Sequence, residues 1–189
     1  MSIVLRVLIT LLVIAYPIAV YFGLQWFSVR VVAALIMVLL LIRLAWMRQL
    51  RTFAGLQWPI MAGVALAAAA FFADNKFALK LYPAIVNSVM LAWFLISLRQ
   101  ASSAIERFAR LQDPDLDDAG VRYTRQVTKV WCLFFLFNGS VALLSALVFS
   151  DEWWMLYNGL IAYVLMGLLF AGEWLVRKKV QQKLKAAIK

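Results

Sequence analysis

Residues 128–149 read TKVWCLFFLFNGSVALLSALVF and contain a single charged residue, Lys129. A helix needs about 20 mostly apolar residues to cross the hydrocarbon core of a bilayer, which is about 30 Å thick. This stretch has that length, and it lacks the strict polar–apolar alternation of a membrane β-barrel strand. It therefore predicts a membrane-spanning helix.

Similar apolar runs flank this stretch on both sides. Together they predict six transmembrane helices, at residues 7–23, 30–47, 56–73, 77–97, 128–149 and 154–175. Hydrophobic residues make up 66% of the chain and charged residues 15%, whereas about a quarter of an average soluble domain is charged. We therefore expect an all-α, polytopic membrane helix bundle that forms one integral membrane domain over residues 1–189. The first run lacks a clear cleavage site, so we expect it to be retained as a helix.

The net charge of +10 would suggest nucleic acid as the partner of a soluble protein. Here the charges follow the membrane topology. With the N terminus inside, 16 of the 19 basic residues fall in inward segments, and the outward segments hold Arg30, Lys76 and Lys80. This is the positive-inside pattern. It predicts a membrane protein with both termini in the cytoplasm, in contact with anionic inner-leaflet lipids and not with nucleic acid.

The longest polar segment, residues 98–127, connects the fourth and fifth predicted helices on the cytoplasmic side. Ser103 followed by Glu106 is a capping-box pattern, which predicts the start of a short helix. Asp117 or Asp118 could cap the following helix. Separate faces of the short helix would hold the apolar residues Ile105, Phe108, Ala109 and Leu111 and the charged residues Glu106, Arg107 and Arg110. We therefore expect an amphipathic helix that lies on the inner leaflet, and the basic tail, residues 177–189, to lie there too.

The residue types exclude several kinds of chemistry. The chain contains no histidine, which removes histidine general bases, histidine haem ligands and most zinc sites. The single cysteine, Cys132, has no intramolecular disulfide partner. The acidic segment 113–118 resembles a calcium loop, but Thr124 occupies the position where an EF-hand needs Glu. We therefore predict no catalytic residue, no metal site and no cofactor.

Glu173 is the one acidic residue inside a predicted span. An intramembrane carboxylate is a candidate for function. Here Glu173 lies one helical turn before Arg177, and Arg43 lies at a similar depth on the second helix. The first interpretation is an ion pair that locks the sixth helix against the second, and the alternative is a proton-coupling carboxylate.

Three asparagines also lie within predicted spans: Asn87, Asn138 and Asn158. At this depth a side-chain amide needs a partner. The first interpretation is hydrogen bonding between helices, worth about 1 kcal/mol or less for each bond. The alternative is a polar pathway for a substrate. A pathway requires the asparagines to face a wet cavity, whereas a dry bundle requires them to be satisfied in pairs.

A series of short motifs runs in one order through the C-terminal half of the chain. They are PAIVN (83–87), IERFARL (105–111), PDL (114–116), YTR (123–125), VWC (130–132), FF (134–135), NG (138–139), LYNGLIAY (156–163), LMG (165–167) and GEWLVR (172–177). This series, which covers roughly residues 80–178, resembles a family of small, uncharacterised bacterial inner-membrane proteins, and the resemblance implies a location in the bacterial inner membrane. A weaker likeness, around VWCLFF and in the spacing to Trp153, is to the bacterial intracellular-septation proteins.

The first of these families is associated with gene clusters for aryl-polyene and related acyl-carrier-protein-dependent synthesis. The resemblance implies acyl carrier proteins or biosynthetic enzymes as partners, and it brings no catalytic residues. An acidic carrier protein would suit the arginines of the cytoplasmic segment, which are Arg99, Arg107, Arg110, Arg122 and Arg125.

Three functions are therefore compatible with the sequence. The first is a non-enzymatic membrane protein that organises or assists a lipid or aryl-polyene biosynthetic system. The second is a small transporter or flippase for a lipidic or acyl product, and the third is an uncharacterised membrane enzyme that acts on lipid.

Overall fold

The computed structural model describes residues 16–47 and 57–187, and these residues form helices and short connections without a β-strand. The all-α prediction is confirmed for this part of the chain, whereas residues 7–15 of the first predicted span lie outside it. The helices are α1 (Tyr16–Trp26), α2 (Val29–Met47), α3 (Gln57–Ala73), α4 (Lys76–Lys80), α5 (Tyr82–Ser97), α6 (Ala104–Ala109), α7 (Asp118–Leu147), α8 (Asp151–Leu156) and α9 (Ala162–Ala187). A π-helical turn, Tyr157–Ile161, joins α8 to α9.

Within the described residues, two helical segments are long and apolar enough to cross a membrane, namely Asp118–Leu147 and Asp151–Lys178. Helices α3 and α5 are apolar but shorter, with 17 and 16 residues. The fourth predicted span, 77–97, is divided into α4 and α5. Pro83 explains the break, because proline lacks an N–H group and fits the first turn of a helix better than its interior.

The fifth predicted span is part of a longer helix, α7, which begins at Asp118, as the predicted cap at Asp117 or Asp118 indicates. The Asp117 side chain caps α7 by accepting a hydrogen bond of 2.7 Å from the Gly120 N–H. The helix has 30 residues, which corresponds to about 45 Å. It therefore includes the last ten residues of the predicted loop 98–127 and exceeds the thickness of a bilayer core.

Helix α3 lies between α2 and α5, where small side chains permit close approach. A methyl group placed on Gly63 would come within 2.5 Å of the Tyr82 ring and 2.8 Å of Leu40. Ala67 and Ala70 on the same helix are buried. The small residues of α3 therefore allow three helices to pack tightly.

Helix α8 is attached to α4 at the end of the molecule that the sequence predicts to be outside. Lys76 Nζ and Lys80 Nζ donate hydrogen bonds of 2.7 and 2.9 Å to the two carboxylate oxygens of Asp151. Both hydrogen bonds lower the pKa of the Asp151 carboxyl group below its usual value, and the bond from Lys76 has the largest effect. Trp154 is buried beneath them and donates an indole hydrogen bond of 3.0 Å to the Lys80 carbonyl.

Helix α6 begins with the capping box that the sequence predicts. The helix packs against α5 and α7. The Ala104 N–H donates a 2.9 Å hydrogen bond to the Ser97 hydroxyl, and the Ile105 N–H donates a 3.3 Å bond to the Thr128 hydroxyl. Within the predicted charged face, Glu106 is buried, with only 2% of its surface exposed. It is buried because its carboxylate accepts hydrogen bonds from the Ser103 N–H and from Arg110.

Candidate functional site

A cavity of about 970 Å³ lies between the helices at the end predicted to be cytoplasmic. Helices α2, α3, α5, α6, α7 and α9 all contribute to its lining, and we call it the inner cavity. Its volume is at the upper end of the range of small-molecule sites, about 300–1,000 Å³. Most of its wall is apolar, with Leu40, Ile60, Met90, Phe94, Trp131 and Phe135 among the lining residues. A site of this kind suits a largely apolar molecule.

Charged residues line the same cavity. We define the charged lining as Arg43, Asp113, Asp115, Asp117, Glu173 and Arg177. The three aspartates are exposed, so they mark the edge at which the cavity meets solvent. The inner cavity therefore combines an apolar wall with a polar edge, and this is the arrangement that a molecule with a polar head and an apolar chain requires.

Glu173 connects α9 to α7 and does not connect it to α2. The Tyr123 hydroxyl group is 3.2 Å from both the Glu173 backbone carbonyl and its Oε1, and Arg177 Nε lies 3.4 Å from the same carboxylate oxygen. Arg43 makes no ion pair with any residue that the structure describes. The expected lock between Glu173 and Arg43 is therefore absent, because the nearer Arg177 and the tyrosine of α7 occupy the carboxylate.

Asn87 and Asn138 form one hydrogen-bonded network between α5, α7 and the π-helical turn. The Asn138 amide donates a 3.1 Å hydrogen bond to Asn87 Oδ1 and accepts a 2.9 Å bond from the Tyr157 hydroxyl. The Asn87 amide donates in turn to the Pro83 carbonyl, at 2.8 Å. Of these residues Asn87 also lines the inner cavity. The network therefore forms part of one wall with its amide groups already paired.

Asn158 lies in the π-helical turn and does not line the inner cavity. Its amide group donates hydrogen bonds to the Ser145 hydroxyl, at 3.0 Å, and to the Trp154 carbonyl, at 2.9 Å. Such a turn inserts a residue into the helix and rotates the side chains that follow. No feature of the sequence predicted it. Of the three asparagines, Asn87 alone therefore lines the inner cavity.

Three of the five candidate arginines hold the segment between α5 and α7 in place. Arg110 donates to Glu106 Oε1 and to the Pro114 carbonyl, both at 3.0 Å. Two further bonds join Arg107 to Gln100 and Arg125 to the Leu98 carbonyl. Arg99 and Arg122, by contrast, are exposed and make no hydrogen bond or ion pair with the described residues. These two are available to a partner.

The predicted amphipathic helix contributes its apolar face to the inner cavity. Ile105, Phe108 and Ala109 line the cavity, whereas Leu111 lies beyond the end of α6 and is exposed. Apolar periodicity cannot distinguish a face that meets lipid from one that meets a cavity. Because of this ambiguity, the cavity could not be predicted from the sequence.

The described residues contain no group of three or more histidine, cysteine or acidic side chains placed to hold a metal ion. Cys132 is buried and has a free thiol. No protein-family model, curated protein or solved structure matches this chain. The inner cavity and its charges are therefore the features that bear on function.

Proposed function

We propose that this protein is a six-helix bacterial inner-membrane protein, with both termini cytoplasmic, that binds a lipidic or acyl amphiphile in the inner cavity. In this proposal it performs no chemistry on that molecule. It transports the molecule or passes it on within a lipid or aryl-polyene biosynthetic system. The inner cavity, with its apolar wall and charged edge, is the observation that carries the proposal.

The distribution of polarity supports a membrane location. Large apolar side chains face outward, such as Leu133 at 66% and Leu168 at 64% exposure. Polar side chains lie inside, such as Asn138 at 4% and Thr128 at 0%. In water this would leave an apolar surface far larger than soluble monomers present. In a bilayer the outward leucines meet lipid, and the inward polar groups find hydrogen-bond partners.

The hydrogen bonding of the interior favours an apolar cargo over an ion. Asn87, Asn138 and Asn158 are satisfied by protein groups, and Glu173 is occupied by Tyr123 and Arg177. A route for ions would require these groups to turn toward a water-filled space. The apolar wall of the cavity requires no such change to accept an acyl chain.

The proposal is tested by filling the cavity. Val86 lines it from α5, and Ile96 on the same helix is 55% exposed and does not line it. The variants V86W and I96W add the same side chain to one helix, inside and outside the cavity. Purified protein would be labelled with a photoactivatable fatty-acyl phospholipid, and the labelled α7 peptides would be measured by mass spectrometry.

We expect V86W to reduce labelling of the cavity-lining part of α7 several-fold, because indole occupies the space of the acyl chain. I96W should leave that labelling unchanged. Equal labelling in both variants and the unaltered protein would refute a ligand in the cavity.

A second candidate function rests on the two unoccupied arginines. Arg99 and Arg122 are exposed at the predicted cytoplasmic end, and an acidic acyl carrier protein would be attracted to them. The double variant R99Q/R122Q should weaken carrier-protein association in membranes and retain the fold, because neither side chain bonds to the described residues. R30Q, at the opposite end, is the matched control. Unchanged association in the double variant would remove this candidate.

A further inference from the structure

We infer that the inner cavity selects an amphiphile whose headgroup carries both an ammonium and a phosphate group, namely an ethanolamine-type phospholipid. This inference rests on the proposed function and names its ligand class. It follows from the composition of the charged lining and from which of its members have no protein partner.

The charged lining is acidic in a basic protein. Four carboxylates face the cavity, against two guanidinium groups. The whole chain has nine acidic residues and a net charge of +10, so nearly half of its acids lie at this one cavity. The net positive charge of the whole chain would attract any anionic lipid. The cavity itself repels a headgroup that carries only negative charge and attracts one that also carries an ammonium group.

Two of the carboxylates are free to accept hydrogen bonds from such an ammonium group. Asp113 and Asp115 are exposed and make no side-chain hydrogen bond or ion pair with the described residues. Asp117 uses one oxygen to cap α7, which leaves its other oxygen available. A primary ammonium has three N–H donors, so neighbouring carboxylates can share it.

Arg43 is the group suited to the phosphate. Its side chain is half-buried in the cavity wall, and no described residue forms an ion pair or a hydrogen bond with it. A guanidinium at this depth in an apolar helix is costly without an anionic partner. Its planar set of donors matches two phosphate oxygens at once. Arg177, in contrast, is already paired with Glu173.

The apolar wall takes the acyl part of the same molecule. Phe94 on α5 and Trp131 and Phe135 on α7 line the cavity and are themselves largely buried. The exposed aspartates lie at the solvent edge and these rings lie further inside. An amphiphile therefore enters with its head at the edge and its chain against the rings, as expected for a lipid of the inner leaflet.

The test compares two headgroups on the same acyl chain. The protein would be placed in phosphatidylcholine vesicles, because choline has no N–H to donate. Trace photoactivatable phosphatidylethanolamine or phosphatidylglycerol would be added, and crosslinks to cavity-lining peptides of α7 would be counted. We expect the ethanolamine lipid to label these peptides about fivefold more than the glycerol lipid, since each exposed charge pair has a modest effect.

The double variant D113N/D115N should bring this ratio close to one. D118N is its matched control, because Asp118 is adjacent in sequence but does not line the cavity, and it should retain the preference. R43Q should reduce labelling by the ethanolamine lipid about tenfold, as expected for loss of a charge-assisted hydrogen bond. R99Q changes an exposed arginine outside the cavity, so it should leave labelling by the ethanolamine lipid unchanged.

The outcomes separate the inference from the proposed function. Equal labelling by the two lipids, or a preference that survives D113N/D115N, would overturn the headgroup assignment and leave a lipid-binding cavity. Absence of cavity labelling by either lipid would overturn both.

Discussion

Replacing Asn138 by leucine tests whether the buried asparagines hold the helices together. The change removes the bond to Asn87 and the bond from Tyr157. Hydrogen bonds between membrane helices contribute about 0.6 kcal/mol each on average. Asn87 is 9% exposed, so its amide oxygen would lose its partner in a buried place, which costs about 1 kcal/mol or more. We therefore expect N138L to lower the free energy of unfolding by about 2 kcal/mol.

The assay is a double-mutant cycle with Y157F, measured by unfolding in mixed micelles with increasing sodium dodecyl sulfate. The two variants should be non-additive by about 0.6 kcal/mol, because both remove the same hydrogen bond. S140A is the matched control on α7, since its exposed hydroxyl bonds only to a carbonyl of its own helix. The network would be refuted if the effects of N138L and Y157F were strictly additive. It would also be refuted if N138L lowered the free energy of unfolding no more than S140A does.

Three further predictions concern packing, pH and the α6 segment. G139A should lower the free energy of unfolding by about 1–3 kcal/mol, because its methyl group would lie 2.9 Å from the Asn87 Cβ atom of α5. G167A is its control: a methyl group there meets nothing within 4 Å, so this variant should be neutral or stabilising in the same assay. The pKa of Asp151 is lowered in the folded protein, so its ionised carboxylate stabilises the fold at pH values above its pKa in the unfolded chain, which is near 4. Thermal stability should therefore fall as the pH drops below that value, and D151N should flatten this pH dependence. E106Q should cost about 1–2 kcal/mol and speed amide exchange in α6, whereas the exposed control E152Q should leave exchange there unchanged.

Sequence patterns predicted the helical class and the local start signals well. The Ser103 to Glu106 capping box and the cap at Asp117 are both present. Such signals are local, because a cap depends on residues three positions apart in the chain. The fourth span, by contrast, was predicted as one helix over 77–97, and the structure divides it before Pro83.

The inner cavity could not be predicted in the same way. Phe94 and Phe135 look alike in a sequence whether they meet lipid, another helix or an open space. The partner of Glu173 was also ambiguous, because Arg43 and Arg177 lie at similar predicted depth and the sequence does not say which helix faces which. The aspartates at 113 and 115 were considered as part of a calcium loop, and nothing in the sequence places them at the edge of the cavity that they line.

The central claim is that the inner cavity holds a lipidic or acyl amphiphile. The most direct measurement places a photo-crosslinking amino acid at Phe108, which lines the cavity, and at Trp153 as an exposed control at the other end. Crosslinking in native membranes, followed by mass spectrometry, would identify what each position touches. We expect a defined lipid adduct at Phe108 that V86W suppresses, and unselective bulk-lipid adducts at Trp153. A protein partner captured at Phe108, or the same bulk lipids at both positions, would contradict it.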